Sequence, residues 1–146
     1  HRAFYKAQLC AGTTLPTSGT VFLSIKEDDK GVKLLEAAKC LRDMGFNLTA
    51  TRGTAKYLAE AGIESAVVNM VYEGRPNIVD QIKDGGIDLI LNTTEGSQAI
   101  EDSRGMRNSA LMDKVPYYTT LAASHAAAFA IKAHSEGDIG VKALQG

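Results

Sequence analysis

The sequence predicts an α/β fold, a doubly wound and mainly parallel sheet of about five strands with helices on both faces. Short runs of aliphatic and β-branched residues alternate along the chain with longer segments in which apolar residues recur at helical spacing. The strand-like runs are apolar almost throughout, which is typical of parallel strands covered by helices on both sides. Such alternation favours right-handed crossovers between neighbouring strands.

The predicted strands cover residues 20–25, 48–51, 65–68, 88–94 and 115–119. The helical segments that alternate with them cover residues 32–44, 55–61, 78–84, 98–112 and 121–134. Gly45 is placed to end the first of these helices, whereas Thr54 and Asn77 are the predicted N-caps of the second and third. The last helix is rich in alanine and is predicted to end near His134.

The composition of the 146-residue chain is that of one globular domain, with 45% hydrophobic and 23% charged residues. Residues 1–19 are predicted as a lead-in helix and linker, and residues 20–146 as the folded domain. The net charge of −1 gives no general attraction to nucleic acid or to an anionic membrane, so neither is an expected partner. No apolar run reaches membrane-spanning length and the N-terminus lacks a signal-peptide pattern, so a cytoplasmic location is expected.

The stretch from Asn47 to Lys56 reads as a strand that runs through a single glycine into a helix. Two threonine hydroxyls, the free amides of a helix N-terminus and the positive end of the helix dipole converge there. We call Thr51–Thr54 the anion seat, because such a start of a helix suits a phosphate or a carboxylate. The plainer interpretation, that Thr51 and Thr54 only end a strand and cap a helix, stays open on this stretch alone.

Polar side chains at the other predicted strand ends belong to the same region. In a doubly wound sheet, ligands bind beyond the carboxyl ends of the strands, beside the point where the strand order reverses. This rule brings together Ser24 and Lys30 after the first strand, the anion seat, the loop 70–76, and Asn92 and Thr94 after the fourth strand. The predicted pocket holds hydroxyls, an amide and one ammonium.

The predicted pocket lacks a paired acid and base, which acid–base catalysis normally needs, so no catalytic residue is assigned. His125 and His134 fall in the last helix and are interpreted as surface or helix-end residues. Cys10 and Cys40 have neither metal-ligand nor CxxC spacing and are expected to be reduced and structural. No metal site is therefore predicted in this chain.

Spaced motifs run through the chain, namely Phe4-Tyr5-Lys6-Ala7-Gln8-Leu9, Ala50-Thr51-Arg52-Gly53-Thr54-Ala55, Glu73-Gly74-Arg75-Pro76, Asn92-Thr93-Thr94-Glu95-Gly96, Ala99-Ile100-Glu101-Asp102-Ser103-Arg104 and Arg107-Asn108-Ser109-Ala110-Leu111. In this order they resemble the C-terminal allosteric domain of the large subunit of carbamoyl-phosphate synthase. Several motifs in one order are far more specific than any one of them alone.

The resemblance implies a methylglyoxal-synthase-like fold that serves as a regulatory module of a ligase and is not an enzyme on its own. The parent enzyme makes carbamoyl phosphate from bicarbonate, glutamine-derived ammonia and ATP, for pyrimidine and arginine synthesis. The expected partners are the rest of the large subunit and, through it, the glutaminase small subunit. No cofactor is expected in this domain, whereas ATP and Mg or Mn belong to the parent enzyme.

In bacterial members of the family, the domain binds the inhibitor UMP or the activator IMP in one overlapping site. Ornithine binds where the domain meets the rest of the large subunit. By resemblance, the nucleotide-effector residues, from the phosphate end through the ribose to the base, are Ser24, Lys30, Thr51 and Thr54, then Asn92 and Thr94, then Val71 and Ile78. Tyr117 and Thr119 match the ornithine-site positions.

One position departs from the regulated bacterial pattern, because Met70 stands where those members carry a lysine. Loss of that charge-assisted contact would weaken phosphate binding by about 1.5 to 3 kcal/mol or indicate a different effector. Two other classes therefore stay open. One is an enzyme of similar fold, either methylglyoxal synthase or the cyclohydrolase half of the late purine-synthesis enzyme. The other is an interaction domain that binds no effector.

Overall fold

The structure of the chain, a computed structural model, describes residue 16 and residues 18–70, 73–93 and 97–145. For residues 97–102 and 135–145 it describes the backbone alone. The predicted lead-in, residues 1–19, lies almost entirely outside the described residues.

The described strands form one parallel sheet, as predicted. In chain order they are β1 (Thr20–Ser24), β2 (Asn47–Ala50), β3 (Ala66–Val67), β4 (Leu89–Asn92) and β5 (Tyr117–Tyr118). The spatial order is β3-β2-β1-β4-β5, and all four pairings are parallel. The chain winds outward from β1 in one direction and then returns to the other side, so β1 and β4 flank the point where the strand order reverses. Ser24 pairs with Asn92 across that point.

The described helices that connect and follow these strands are α1 (Val32–Asp43), α2 (Arg52–Glu60), α3 (Ile78–Lys83), α4 (Ser97–Met112) and α5 (Leu121–Gln145). The charged segment after β1 folds into a 3₁₀ helix, Glu27–Asp29. Gly45 adopts φ 98° directly after α1, as expected of a glycine that ends a helix. Asn77 caps α3 as predicted, because its side chain accepts from the Val79 and Asp80 amides while Asp80 accepts from the Asn77 amide.

Two predicted helix bounds are wrong. Helix α2 begins at Arg52 with Thr51 as its N-cap, so Thr54 is a residue of the first turn. The backbone of Thr51 is extended and Gly53 is already helical, so the turn does not depend on the glycine. Helix α5 continues past His134 to Gln145. Gly137 and Gly140 each cost a helix about 1 kcal/mol and do not end it.

The sheet has an apolar core on each face, which explains why the central strands are apolar throughout. Successive side chains of a strand point to opposite faces, so Val21 and Leu23 join one cluster and Phe22 joins the other. The first cluster contains residues of α1, α2 and α5, and the second contains residues of α3 and α4. Among the described residues, no helix is long and apolar enough to cross a membrane.

Candidate functional site

The anion seat forms at the carboxyl end of β2, where the structure places both predicted threonines. The Thr54 side chain is 1% exposed, and its hydroxyl accepts hydrogen bonds from the Ile25 amide at 3.1 Å and from the Thr51 hydroxyl at 3.0 Å. Thr51 makes no side-chain cap hydrogen bond, because its hydroxyl is directed to Thr54. The first-turn amides of α2, which have no intrahelical acceptor, are therefore left for a ligand.

The chain after β1 is held from both sides at the point where the strand order reverses. The Ile25 amide bonds to Thr54, and the next amide, Lys26, donates to the Thr93 hydroxyl at 2.8 Å. Thr93 is 4% exposed, and its own amide donates to the Ser24 carbonyl at 2.9 Å. The end of β1 is thus fixed between α2 and the end of β4, and Ser24, half-buried, lies at this junction.

Lys30 lies beside the anion seat, as predicted. Its ammonium is 3.4 Å from the point that a Cβ on Gly53 would occupy. The side chain is 12% exposed, and Nζ pairs with the Glu27 carboxylate at 2.6 Å. The Lys30 ammonium therefore lies close to Gly53 in the first turn of α2.

Asn92, a predicted nucleotide-effector residue, is bonded to Tyr117, a predicted ornithine-site residue. The side chain is 1% exposed, and its Nδ2 donates to the Ser103 hydroxyl at 2.9 Å and to the Tyr117 hydroxyl at 2.6 Å. Its Oδ1 is buried and has no hydrogen-bond partner among the described residues. A buried acceptor that no donor reaches costs free energy. We call Asn92, Ser103 and Tyr117 the Asn92 cluster.

Tyr117 and Thr119 lie beyond the last strand crossover at the β5 edge. The Arg107 guanidinium carbon is 5.7 Å from the centre of the Tyr117 ring, within the range of a cation–π contact. Thr119 is exposed. Tyr117 is thus bonded to the predicted nucleotide group through Asn92, a link that the sequence did not indicate.

Ile78, predicted to contact the base, and Met70, at the position of the family's lysine, are directed into the core. Ile78 has no exposed surface, and Met70 is 6% exposed; both belong to the cluster under α3 and α4. Because Ile78 is fully buried, its side chain offers no surface to a base. Its amide donates to the Asn69 carbonyl at 2.9 Å, before the loop. The remaining two predicted residues, Val71 and Thr94, lie outside the described residues.

Arg52 joins the start of α2 to the loop after β3. Its Nε donates to the Glu73 carboxylate at 2.9 Å, and its Nη2 donates to the Asn69 side-chain oxygen at 2.9 Å. Glu73 also accepts from the Met70 amide at 2.7 Å. The Met70 amide and the Arg52 guanidinium hold the pKa of the Glu73 carboxyl below its usual range, so Glu73 is an anion at neutral pH. We call Arg52, Asn69 and Glu73 the Arg52 clasp.

Sequence reasoning missed Thr93 and the Arg52 clasp. Thr93 is the first of two consecutive threonines after β4, and nothing in the sequence indicates that its hydroxyl accepts from the Lys26 amide. Arg52 and Glu73 are 21 residues apart and no periodicity relates them. The Glu73-Gly74-Arg75-Pro76 motif was a signal, since it drew attention to Glu73 without indicating a partner.

His125 and Cys40 make contacts between α1 and α5. His125 on α5 is 3.1 Å from the Glu36 carboxylate of α1 and packs beside Phe129. Cys40 is buried between the same two helices, with its Sγ donating to the Ala128 carbonyl at 3.6 Å. Among the described residues, no group of three or more His, Cys, Asp and Glu side chains could hold a metal ion.

A separate cleft of about 780 Å³ lies at the opposite, amino-terminal edge of the sheet. Arg42, Asn47, Glu64 and Ser65 are among the residues that line it. None of the predicted site residues that the structure describes lines this cleft.

Comparison with known proteins gives a consistent result. A family model described as MGS-like domain matches residues 33–119. The chain is 49% identical over 143 residues to the carbamoyl phosphate synthase large chain of Rhizobium meliloti, and 52% identical to that of Myxococcus xanthus. Each alignment covers 98% of this chain but only 12% and 13% of the relative. The C-terminal section of the large chain from Methanopyrus kandleri is 49% identical over 97% of this chain and 26% of that relative.

Proposed function

The chain belongs to the family of MGS-like domains, in the form carried by carbamoyl phosphate synthase large chains, and from that premise we propose that it binds an anionic nucleotide effector. The ligand would be a nucleoside monophosphate of the UMP or IMP type. In this proposal the domain does no chemistry itself. It regulates a ligase that makes carbamoyl phosphate from bicarbonate, glutamine-derived ammonia and ATP.

The anion seat is the observation that carries the proposal. Its hydroxyls are already fixed by hydrogen bonds to one another and to the end of β1. A phosphate bound there would meet the free amides of α2, the positive end of the helix dipole and the Lys30 ammonium. Because these groups are held before the ligand arrives, little conformational entropy is lost on binding.

The proposed arrangement of the ligand follows the edge of the sheet. The phosphate lies among Ser24, Lys30, Thr51 and Thr54, and the ribose lies toward Asn92. Val71 and Thr94 remain proposed contacts to the base and the ribose. Ile78 contributes only by supporting the loop.

We assign Tyr117 and Thr119 to a second, ornithine-type effector site that is completed by the rest of the large chain. The hydrogen bond from Asn92 to Tyr117 gives the two sites a shared contact. The other proposed partners are that remainder of the large chain, where ATP and Mg or Mn act, and the glutaminase small subunit. The proposed location is the cytoplasm.

The proposed mechanism is a shift between two arrangements of this domain against the ATP-using part of the large chain. An effector can shift that equilibrium only by its difference in affinity for the two arrangements, typically about 1 to 3 kcal/mol. Binding in the seat would act through the chain after β1, because Thr54, in the first turn of α2, holds the Ile25 amide.

The test is calorimetric titration of the chain with UMP and with IMP. Saturable binding of either nucleotide, together with competition by inorganic phosphate, is the expected result. The absence of heat for both nucleotides, confirmed by unchanged thermal stability in their presence, would exclude this effector class.

One observation favours a second candidate, an interaction domain that binds no effector. Met70, at the position of the family's lysine, is buried in the core and extends no charge toward the seat. In that case, removing the chain from the parent enzyme would disturb its assembly, whereas Thr54→Ala in the intact enzyme would leave its response to nucleotides unaltered.

A further inference from the structure

The segment after β1 brings Lys30 to the anion seat, and we call residues 26–30 the Lys30 turn. The Asp29 amide donates to the Lys26 carbonyl at 3.0 Å. The Lys30 amide donates to the Glu27 carbonyl at 3.2 Å. The same residues form two ion pairs, Lys26 with Asp29 and Lys30 with Glu27. All of these contacts lie within the turn, so they fix its shape but do not attach it to the rest of the protein.

The Lys30 turn is attached through Thr93, directly after β4. The Lys26 amide donates to the Thr93 hydroxyl at 2.8 Å. Among the described residues, this is the one hydrogen bond or ion pair that joins the turn to the rest of the protein. Thr93 is itself held in place, because it is 4% exposed and its amide donates to the Ser24 carbonyl at 2.9 Å. The buried end of β4 therefore sets where the turn lies.

We propose that Thr93 is a positioning residue of the effector site, whose hydroxyl holds the Lys30 turn so that the Lys30 ammonium lies beside the anion seat. Thr93 does not contact the phosphate. The proposal rests on the effector function proposed above, in which Lys30 supplies the positive charge next to the α2 amides. A lysine side chain loses much conformational entropy when it is ordered, so a ligand gains most from a lysine whose backbone is already fixed.

Thr49 provides a matched control in the same sheet. Its hydroxyl donates to the Val21 carbonyl at 2.9 Å, and the residue is half-buried. Among the described residues, Thr49 has no hydrogen bond to the Lys30 turn. Thr49→Val and Thr93→Val therefore each remove one hydrogen bond between a threonine hydroxyl and the backbone, but only Thr93→Val releases the turn. Thr93→Ser keeps the hydroxyl and is the second control.

The first measurement is calorimetric titration of the chain with inorganic phosphate, for each variant alone and in a Lys30→Met background. Thr93→Val is expected to weaken phosphate binding by about three- to fivefold, and Thr49→Val and Thr93→Ser by less than about twofold. In the Lys30→Met background, Thr93→Val should cause no further weakening, because the two residues act through one contact.

Unaltered phosphate binding in Thr93→Val, or an equal weakening in the Lys30→Met background, would overturn the proposal. Thr93→Ala, which also removes the hydroxyl, gives the same test if Thr93→Val does not fold.

The second measurement is solvent exchange of the Lys30 amide by NMR without ligand, which reports the turn independently of binding. This amide is expected to exchange faster in Thr93→Val than in the wild type or Thr49→Val, because the turn loses its attachment. Unchanged exchange in Thr93→Val would overturn the proposal. If the wild type does not bind phosphate, the effector function fails and the positioning role fails with it. Normal binding by the wild type and the Thr93 variants alike refutes only the role of Thr93.

Discussion

The two halves of the carboxyl edge of the sheet are built in different ways. The anion seat, after β2, is local in sequence, and its hydroxyls satisfy one another and the end of β1. The Asn92 cluster, after β4, is assembled from three elements, with Asn92 bonded to residues 11 and 25 positions further on. Its buried Oδ1 lacks a partner among the described residues, whereas each hydroxyl of the seat has one.

This difference matches two kinds of recognition. Phosphate is recognised by converging donors and positive charge, which a helix start supplies from a short sequence. A sugar hydroxyl is recognised by a directed acceptor, which has to be buried, oriented and left unpaired until the ligand arrives. The seat should therefore contribute to both folding and binding, and the Asn92 cluster mainly to binding.

The largest expected effect is that of Thr54→Val, which keeps the shape of the side chain and removes its hydroxyl. The Ile25 amide would then be buried without an acceptor, which costs about 1 to 3 kcal/mol. We expect the free energy of unfolding in urea to fall by that amount and phosphate binding to fall below detection. Thr54→Ser is the control, because it keeps the hydroxyl and should retain most of both properties.

Two outcomes for Thr54→Val would refute the double role of the anion seat in folding and binding. If Thr54→Val unfolds at the wild-type urea concentration, the hydroxyl does not hold the end of β1. If it is destabilised but binds phosphate normally, the seat is only structural.

The second prediction concerns Asn92→Leu, which removes the hydrogen bonds of the Asn92 cluster and the unpartnered oxygen together. Loss of two hydrogen bonds and removal of a buried unsatisfied acceptor nearly offset each other, so the unfolding free energy should change by about 1 kcal/mol or less. UMP binding should weaken by about tenfold while phosphate binding stays within about twofold, as measured by calorimetry. Asn47→Leu, an exposed position at the start of β2, is the control for the added apolar side chain.

A loss of stability in Asn92→Leu as large as that in Thr54→Val would remove the distinction between the two halves. Equal weakening of phosphate and UMP would place Asn92 at the phosphate.

The sequence was sufficient for the parts of this edge that depend on local pattern. The apolar strands, the doubly wound order and the meeting of Ser24, Lys30, Thr51 and Thr54 at one edge all follow from periodicity and from the rule for parallel sheets. The capping of α3 by Asn77 followed from residue type alone.

The role of Thr54 was predicted wrongly for a physical reason. The sequence Thr-x-x-Thr offers two possible N-caps, and residue type does not choose between them. The choice is made by tertiary structure, because the Ile25 amide, 29 residues away, needs the Thr54 hydroxyl as an acceptor. Because the Thr54 hydroxyl accepts from the Ile25 amide, Thr51 is the N-cap residue of α2.

The inward direction of Met70 and Ile78 also depends on tertiary structure. Both flank a loop whose return is fixed by the Ile78 amide on the Asn69 carbonyl and by Glu73 on the Met70 amide. Neither bond has a sequence signature, so a residue near a strand end was expected at the ligand although the loop turns it into the core.

The third prediction uses a fall in pH to neutralise Glu73, the carboxylate that pairs with Arg52 at the start of α2. The folded-state pKa of Glu73 is depressed by the Met70 amide and by Arg52, so its ionisation stabilises the fold above the usual glutamate range. That contribution is lost as the pH falls from the usual range through the lowered value. The urea midpoint should decrease more in the wild type than in Glu73→Gln between about pH 5 and pH 3.

The pKa of Asp80 is also depressed, mainly by its pairing with Arg75. Protonation of Asp80 therefore also destabilises the fold as the pH falls. Asp80→Asn is therefore the parallel control, and the two single variants should each flatten part of the profile. Identical profiles for the wild type and Glu73→Gln would show that the Arg52 clasp adds no stability.

The smallest expected effect separates folding from binding within the seat itself. Gly53 is helical, so Gly53→Ala should raise the free energy of unfolding by about 0.4 to 1 kcal/mol by restricting the unfolded chain. The new Cβ would lie 3.4 Å from the Lys30 ammonium, an ordinary van der Waals contact, so the ammonium can keep its place. Phosphate affinity should therefore stay within about twofold of the wild type although the protein is more stable. The control is Lys30→Met, which keeps the glycine, removes the ammonium and should weaken phosphate binding in calorimetry. A larger loss in Gly53→Ala would mean that the glycine is needed for the approach of the ligand to the α2 amides.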